Sequence, residues 1–160
     1  MKTQIKMFAF IAVAFVAVVM MGCAKENDGP SGGDDNGSLS LTENGVNWTA
    51  SKVTSARALG LITISGKDDS DQEIIFLLPD TIATKTYDLS EFELGALAIT
   101  YVTAANMPMY PINGSLTITK YNTVSNQFAG NFSFEASPLD GSATVSVTNG
   151  KFDVKYDGLK

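Results

Sequence analysis

From Leu39 onward the chain alternates. Stretches rich in Val, Ile, Thr and aromatic residues are broken by Asn-Gly pairs and polar clusters, and none spaces its apolar residues at a helical period. Residues 127–136 alternate most cleanly, with Phe128, Gly130, Phe132, Phe134 and Ala136 on one face and Ala129, Asn131, Ser133 and Glu135 on the other. Such a period of two predicts a strand with one face in a core and the other in water. Gly130 leaves a gap in the core-facing row, which either a bulky cross-strand neighbour fills or a bend removes. Further strands are expected over 52–59, 61–66, 73–78, 86–89, 97–103 and 114–121.

Asn44-Gly45 lies between 39–43 and 46–50, and a two-residue turn there would pair Leu41 with Trp48 and Leu39 with Ala50 on one face. Asn149-Gly150 predicts a second hairpin by the same rule, matching Val147 with Phe152, Val145 with Val154 and Ala143 with Tyr156; a bulge at Gly150 within one longer strand is the competing reading. Nine or ten short strands in the 122 residues of 39–160 imply an all-β antiparallel meander, closed into a β-sandwich or a flattened barrel so that its apolar face is covered. No repeat of fixed period is present, so neither a propeller nor a solenoid is expected.

The first residues follow another pattern. Lys2 and Lys6 precede an unbroken apolar run from Met7 to Met21, then Gly22 and Cys23. That is the order of a secretory signal, and 15 residues of helix reach only about 22 Å against a hydrocarbon core of about 30 Å, too short for a permanent span. Gly22-Cys23 resembles the cleavage and lipidation site of bacterial lipoproteins, where a small residue precedes a cysteine that becomes the acylated N-terminus. Residues 1–22 are therefore expected to be removed and Cys23 to carry the anchor, more than one acyl chain making it stable. Ala24 to Ser38 hold no bulky apolar residue and predict a tether of about 21 Å root-mean-square span. Its start, Lys25-Glu26-Asn27-Asp28, resembles the export signal that sends lipoproteins of Bacteroidetes to the cell surface. The chain thus divides into 1–22, 23–38 and a single domain over 39–160.

Composition narrows the chemistry. The 160 residues include no histidine and one cysteine, which removes the usual imidazole base, Ser-His-Asp and Cys-His sites, ordinary zinc sites and any intramolecular disulfide. Loss of 1–22 takes Lys2 and Lys6 from the 11 basic residues and none of the 17 acidic ones, so the net charge moves from −6 to −8. Nucleic acid is not an expected partner at that charge, and no cofactor is implied.

In the folded part, Asn44-Gly45 with Trp48-Thr49-Ala50, Gly114-Ser115 with Ile118-Thr119-Lys120-Tyr121, the run Phe128 to Phe134, and Val147-Thr148-Asn149-Gly150-Lys151-Phe152 occur in the order seen in an uncharacterised family of Bacteroidetes lipoproteins, known as a domain of unknown function. This resemblance covers essentially all of 39–160. Its motifs are turn glycines and core aromatics, which imply a shared fold and no active site.

Several constellations admit a chemical and a plain reading. Asp68, Asp69, Asp71 and Glu73 crowd one turn, as weak ligands for a hard cation or as a solvated hairpin tip; the metal expectation is none. Glu91 with Glu93, and Glu135 with Asp140, are the carboxylates left for a glycoside hydrolase, or simply surface charge. Trp48, Tyr87, Phe92, Tyr101, Tyr110 and Tyr121 either form a platform for sugars or peptides or close the barrel rim. Met107, Met109 and Tyr110, between Pro108 and Pro111, read as a loop at a ligand entrance or as a proline-protected edge strand. Asp80-Thr81-Ile82 resembles the short O-glycosylation pattern of exported Bacteroidetes proteins, with Thr81 the acceptor. Gly45-Val46-Asn47-Trp48 is similar to the Gly-x-Trp that opens lipocalin barrels, one residue too long. The expected function is a lipid-anchored, surface-facing, non-catalytic module of the outer membrane that binds a glycan, peptide or envelope protein. A lipocalin-like carrier of an apolar ligand is the alternative, and a carboxylate-dependent hydrolase the third.

Overall fold

The computed structural model describes residues 37–90 and 97–156. Gly22 and Cys23, most of the linker, and Glu91, Phe92 and Glu93 lie outside the described residues. Ten strands follow in chain order: β1 (Gly37–Glu43), β2 (Val46–Thr49), β3 (Lys52–Ala58), β4 (Leu61–Lys67), β5 (Glu73–Pro79), β6 (Thr86–Asp88), β7 (Ala98–Val102), β8 (Pro108–Asn122), β9 (Gln127–Ser137) and β10 (Val145–Lys155). There is no helix among the described residues. The strands form one sheet in the order β2-β1-β10-β9-β8-β7-β5-β4-β3, with β6 added beside β8 and every ladder antiparallel. The expected all-β antiparallel fold is therefore present, as a single sheet curled into a half-barrel.

Curling is what gives the apolar face a partner. Phe76 of β5 meets Phe132 of β9 at 5.0 Å between ring centroids and Phe152 of β10 at 5.3 Å, so strands far apart in the sheet pack across its interior. Ile62, Ile64, Ile74, Leu78, Leu116, Phe128 and Val147 fill the space around them without exposure. On the far side β3 approaches β10, where the Ser55 hydroxyl donates to the Lys155 carbonyl at 2.7 Å. That seam carries a side-chain bond in place of a ladder.

The predicted alternation of 127–136 holds: Phe128, Gly130, Phe132, Phe134 and Ala136 are all buried. Gly130 is covered by its cross-strand neighbour Phe152, whose Cζ would lie 2.6 Å from an added Cβ. Gly150 is covered in turn by Phe132, whose ring would lie 2.3 Å from a Cβ there.

The two Asn-Gly pairs diverge. Asn44 and Gly45 both have positive φ, 46° and 86°, as a type I′ turn requires, and Leu41 pairs with Trp48 as expected. The second hairpin is not formed. Asn149 has a φ of 52° but Gly150 is not left-handed, and β10 runs through with a register shift between Val147 and Gly150. The competing bulge is correct, because β1 and β9 flank both arms of β10 and occupy the edges a hairpin would need. Of the two readings at 107–111 the strand is the one formed, from Pro108 onward, although inside the sheet and not at its edge. Pro108 pairs with Val102 and Pro111 with Ala136, where β8 leaves β7 and continues along β9, a corner that tolerates missing donors.

Leu59 and Gly60 turn β3 into β4 with φ of 54° and 79°. Asn suits the first position and Leu does not, since a left-handed residue with an ordinary side chain costs roughly 1–2 kcal/mol. Leu59→Asn should therefore stabilise the domain by about 1 kcal/mol in chemical denaturation, and a lower midpoint would contradict the strain. Phe132→Ala should cost about 3–5 kcal/mol by emptying the centre of the interior, and an unshifted melting temperature would refute its place there.

Candidate functional site

The described residues bring a part-buried polar cluster together at the end of the half-barrel where β1 turns into β2 and β4 into β5, and a smaller one, Arg57, Asp80 and Tyr121, at the other end. The Asn44-Gly45 turn fixes Glu43 opposite Val46 and sets Trp48 against Leu41. Lys67 pairs with Glu73, closing the loop Asp68 to Gln72, which folds back on its first carboxylate. Asp68 accepts hydrogen bonds from Trp48 Nε1 at 2.8 Å, from the amides of Ser70 and Gln72 at 2.9 and 3.0 Å, and from the Ser70 hydroxyl. Gln72, itself buried, donates to Glu43 Oε2 at 2.7 Å and to the hydroxyl of fully buried Tyr101.

Electrostatics decides what this cluster can do. Burial pushes the Asp68 carboxyl up, but hydrogen bonds from Ser70, Trp48 and Gln72 together outweigh it and hold the group below the usual carboxylate range. Burial, then the charge and hydrogen bond of Glu43, push the Tyr101 phenol far above its ordinary value. Both shifts lead away from neutrality, whereas proton-transfer groups are tuned toward it. The cluster is suited to locking β1, β2, β5 and β7 together at this end. On the outer face of β8, β9 and β10 lies an open groove of about 260 Å³, edged by Asn113, Ser133, Glu135, Ser146 and Thr148. Asn113 donates to Glu135 Oε2 at 2.7 Å across it.

The residues singled out from sequence land as follows. The four acids of the β4–β5 turn do not converge: Asp69 accepts from Ser51, Asp71 pairs with Lys67 at 2.7 Å, and Glu73 accepts from Ser65. No group of three or more potential metal ligands occurs among the described residues. Met109 is buried and pairs with Tyr101, Tyr110 is half-buried opposite Ser137, and Met107 alone of the three is exposed. Trp48 and Tyr101 are buried, while Tyr87 and Tyr121 are half-buried and spend their hydroxyls on Ala83 and on the Asp80 carbonyl. The aromatic residues thus line the rim and the core, and no exposed row forms among those described. Glu135 and Asp140 are held separately, by Asn113 and by Ser142, whose hydroxyl and amide lower the Asp140 carboxyl. Thr81 is exposed in a turn beside Asp80, which binds Arg57 at 2.7 Å. Sequence reasoning missed Glu43 and Gln72. They lie 29 residues apart, and only the burial of a glutamine in an acidic turn would have signalled them.

Because its pKa is depressed on folding, Asp68 contributes stability that is complete above the ordinary carboxylate value of about 3.9 and is lost as pH falls through its lower folded value. Asp68→Asn should flatten the acid limb of stability against pH, read by Trp48 fluorescence in denaturant; an unaltered limb would remove this role.

No curated protein matches the chain, and no solved structure does. A family model described as a domain of unknown function (DUF6252) matches residues 35–154, from before β1 to the last residue but one of β10. With most of its length and all ten strands but for Lys155 inside that match, the chain belongs to the DUF6252 family.

Proposed function

We propose that the chain is a lipid-anchored protein of the outer membrane, facing the cell exterior, whose β domain is a non-catalytic binding or envelope-associated module, as the resemblance to Bacteroidetes lipoproteins implies. The observation that carries the anchor is Gly22-Cys23 at the close of a 15-residue apolar run, followed by a linker with nothing to bury. Binding by the domain is supported by the open groove on β8–β10, where the hydroxyls of Ser133, Ser146 and Thr148 beside the bonded Asn113–Glu135 pair suit a hydroxyl-rich glycan or an extended peptide. The non-catalytic reading is supported by the described carboxylates, most of which are taken up by serine, asparagine, tryptophan or a cation. Aromatic rings in contact through the interior weigh against an enclosed apolar ligand and so against the carrier. Cys23→Ser should release the protein from the membrane fraction, and unchanged membrane partition would overturn the anchor.

A further inference from the structure

Leu59 is anomalous twice over. It stands at a left-handed φ, and 94% of its surface is in water. The backbone disfavours it and the domain returns nothing for it, a combination that points to a partner outside the domain. Val124, at the tip of the β8–β9 turn, is 95% exposed among Thr123, Ser125 and Asn126.

The registers place both tips at one end. Gly60 accepts from the Asp80 amide, the Asp80 carbonyl accepts from Tyr121, and Tyr121 lies one pair short of Asn122↔Gln127, which opens the turn holding Val124. Gln127 pairs with Lys155, and Gly37 pairs with Val154 beside it. The linker from Cys23 therefore enters the domain at the end that carries Leu59 and Val124. Charge is divided the same way. Lys85, Lys120 and Lys155 are exposed toward this end, against Asp153, which accepts from Gln127, and Asp80, which is taken by Arg57; Glu43, Asp68, Asp69, Asp71, Glu73 and Asp140 gather at the other, against Lys52 and Lys67, so the excess is basic here and acidic there.

We propose that this end seats on an anionic lipid surface, Leu59 and Val124 dipping into the boundary between headgroups and acyl chains, with the three lysines above them. Two single apolar residues bind a bilayer weakly when free in solution. Behind an anchor at Cys23 and a tether of about 21 Å the contact is intramolecular, and weak contacts suffice. The proposal thus rests on the anchor reading and adds to it an orientation: polar cluster and acids outward, tips down. An unstrained Asn at 59 would be the better residue for the fold and the worse one for the membrane.

The chain supplies its own control, because its one tryptophan, Trp48, sits at the opposite end. Full-length protein and its Leu59→Trp and Val124→Trp variants are placed in vesicles of phosphatidylethanolamine and phosphatidylglycerol with brominated acyl chains. Native emission should match that in unbrominated vesicles, while the emission added by each variant should be quenched. Quenching of Trp48 in the native protein, or no quenching at 59 and 124, overturns the proposal. Mass spectrometry of the N-terminal peptide separates the two readings: acylated protein with unquenched tips leaves the anchor and refutes the orientation, whereas an unacylated Cys23 refutes the anchor and the tethered seating with it.

Discussion

Phe132 of β9 covers Gly150 of β10, and Phe152 of β10 covers Gly130 of β9. Each ring lies where its partner's side chain would begin, so neither strand could carry a β-carbon at that glycine without displacing the other's phenylalanine. The exchange brings both rings to Phe76, which arrives from β5 on the opposite wall. The curl of the sheet depends on this contact, because it is where the two walls become one interior. A flat sheet of ten strands would leave its apolar face in water. Phe128 stacks on Phe152 at 5.5 Å and meets Tyr121 edge-on at 5.4 Å, extending the aromatic layer toward the end that carries Tyr156.

Much of this was legible along the chain because strand periodicity is a local property. The face assignment at 127–136 and the turn at Asn44-Gly45 needed only neighbouring residues. Asn149-Gly150 offers the same dipeptide and yields a bulge, since the outcome turned on which strands flank β10, and that is settled by β1 from the far end of the chain. Prolines at 108 and 111 left loop and edge strand open for a similar reason: their missing donors matter only along a ladder, and β8 changes partner where they stand. The polar cluster was out of reach. Glu43, Gln72 and Tyr101 meet only because β1, β5 and β7 end at one level of the curled sheet.

The cluster also shows why an acidic turn need not be a cation site. Each carboxylate there has found a different donor, so the charges are spread over the turn and bound to indole, hydroxyl, amide or ammonium groups. Asp68 acts as a peg to which the only indole of the chain is tied, and the loop from 68 to 72 wraps its backbone amides around that peg. Specific recognition of a ligand by this end would have to break bonds already made; the groove on β8–β10 has its own bonded pair, Asn113 with Glu135, beside the hydroxyls of Ser133, Ser146 and Thr148.

The direction in which β1 leaves the sheet has a mechanical meaning. Gly37 lies against Val154, near the finish of β10, and the remaining pairs of the ladder run from there to Glu43. A pull applied at Gly37 along the axis of β1 would slide it lengthwise past β10, so the hydrogen bonds would share the load instead of parting one after another as they would if the strand were peeled sideways. Held from that end in that direction, the fold would meet its load through a joint in shear, the stronger of the two ways a strand can be torn from its neighbour.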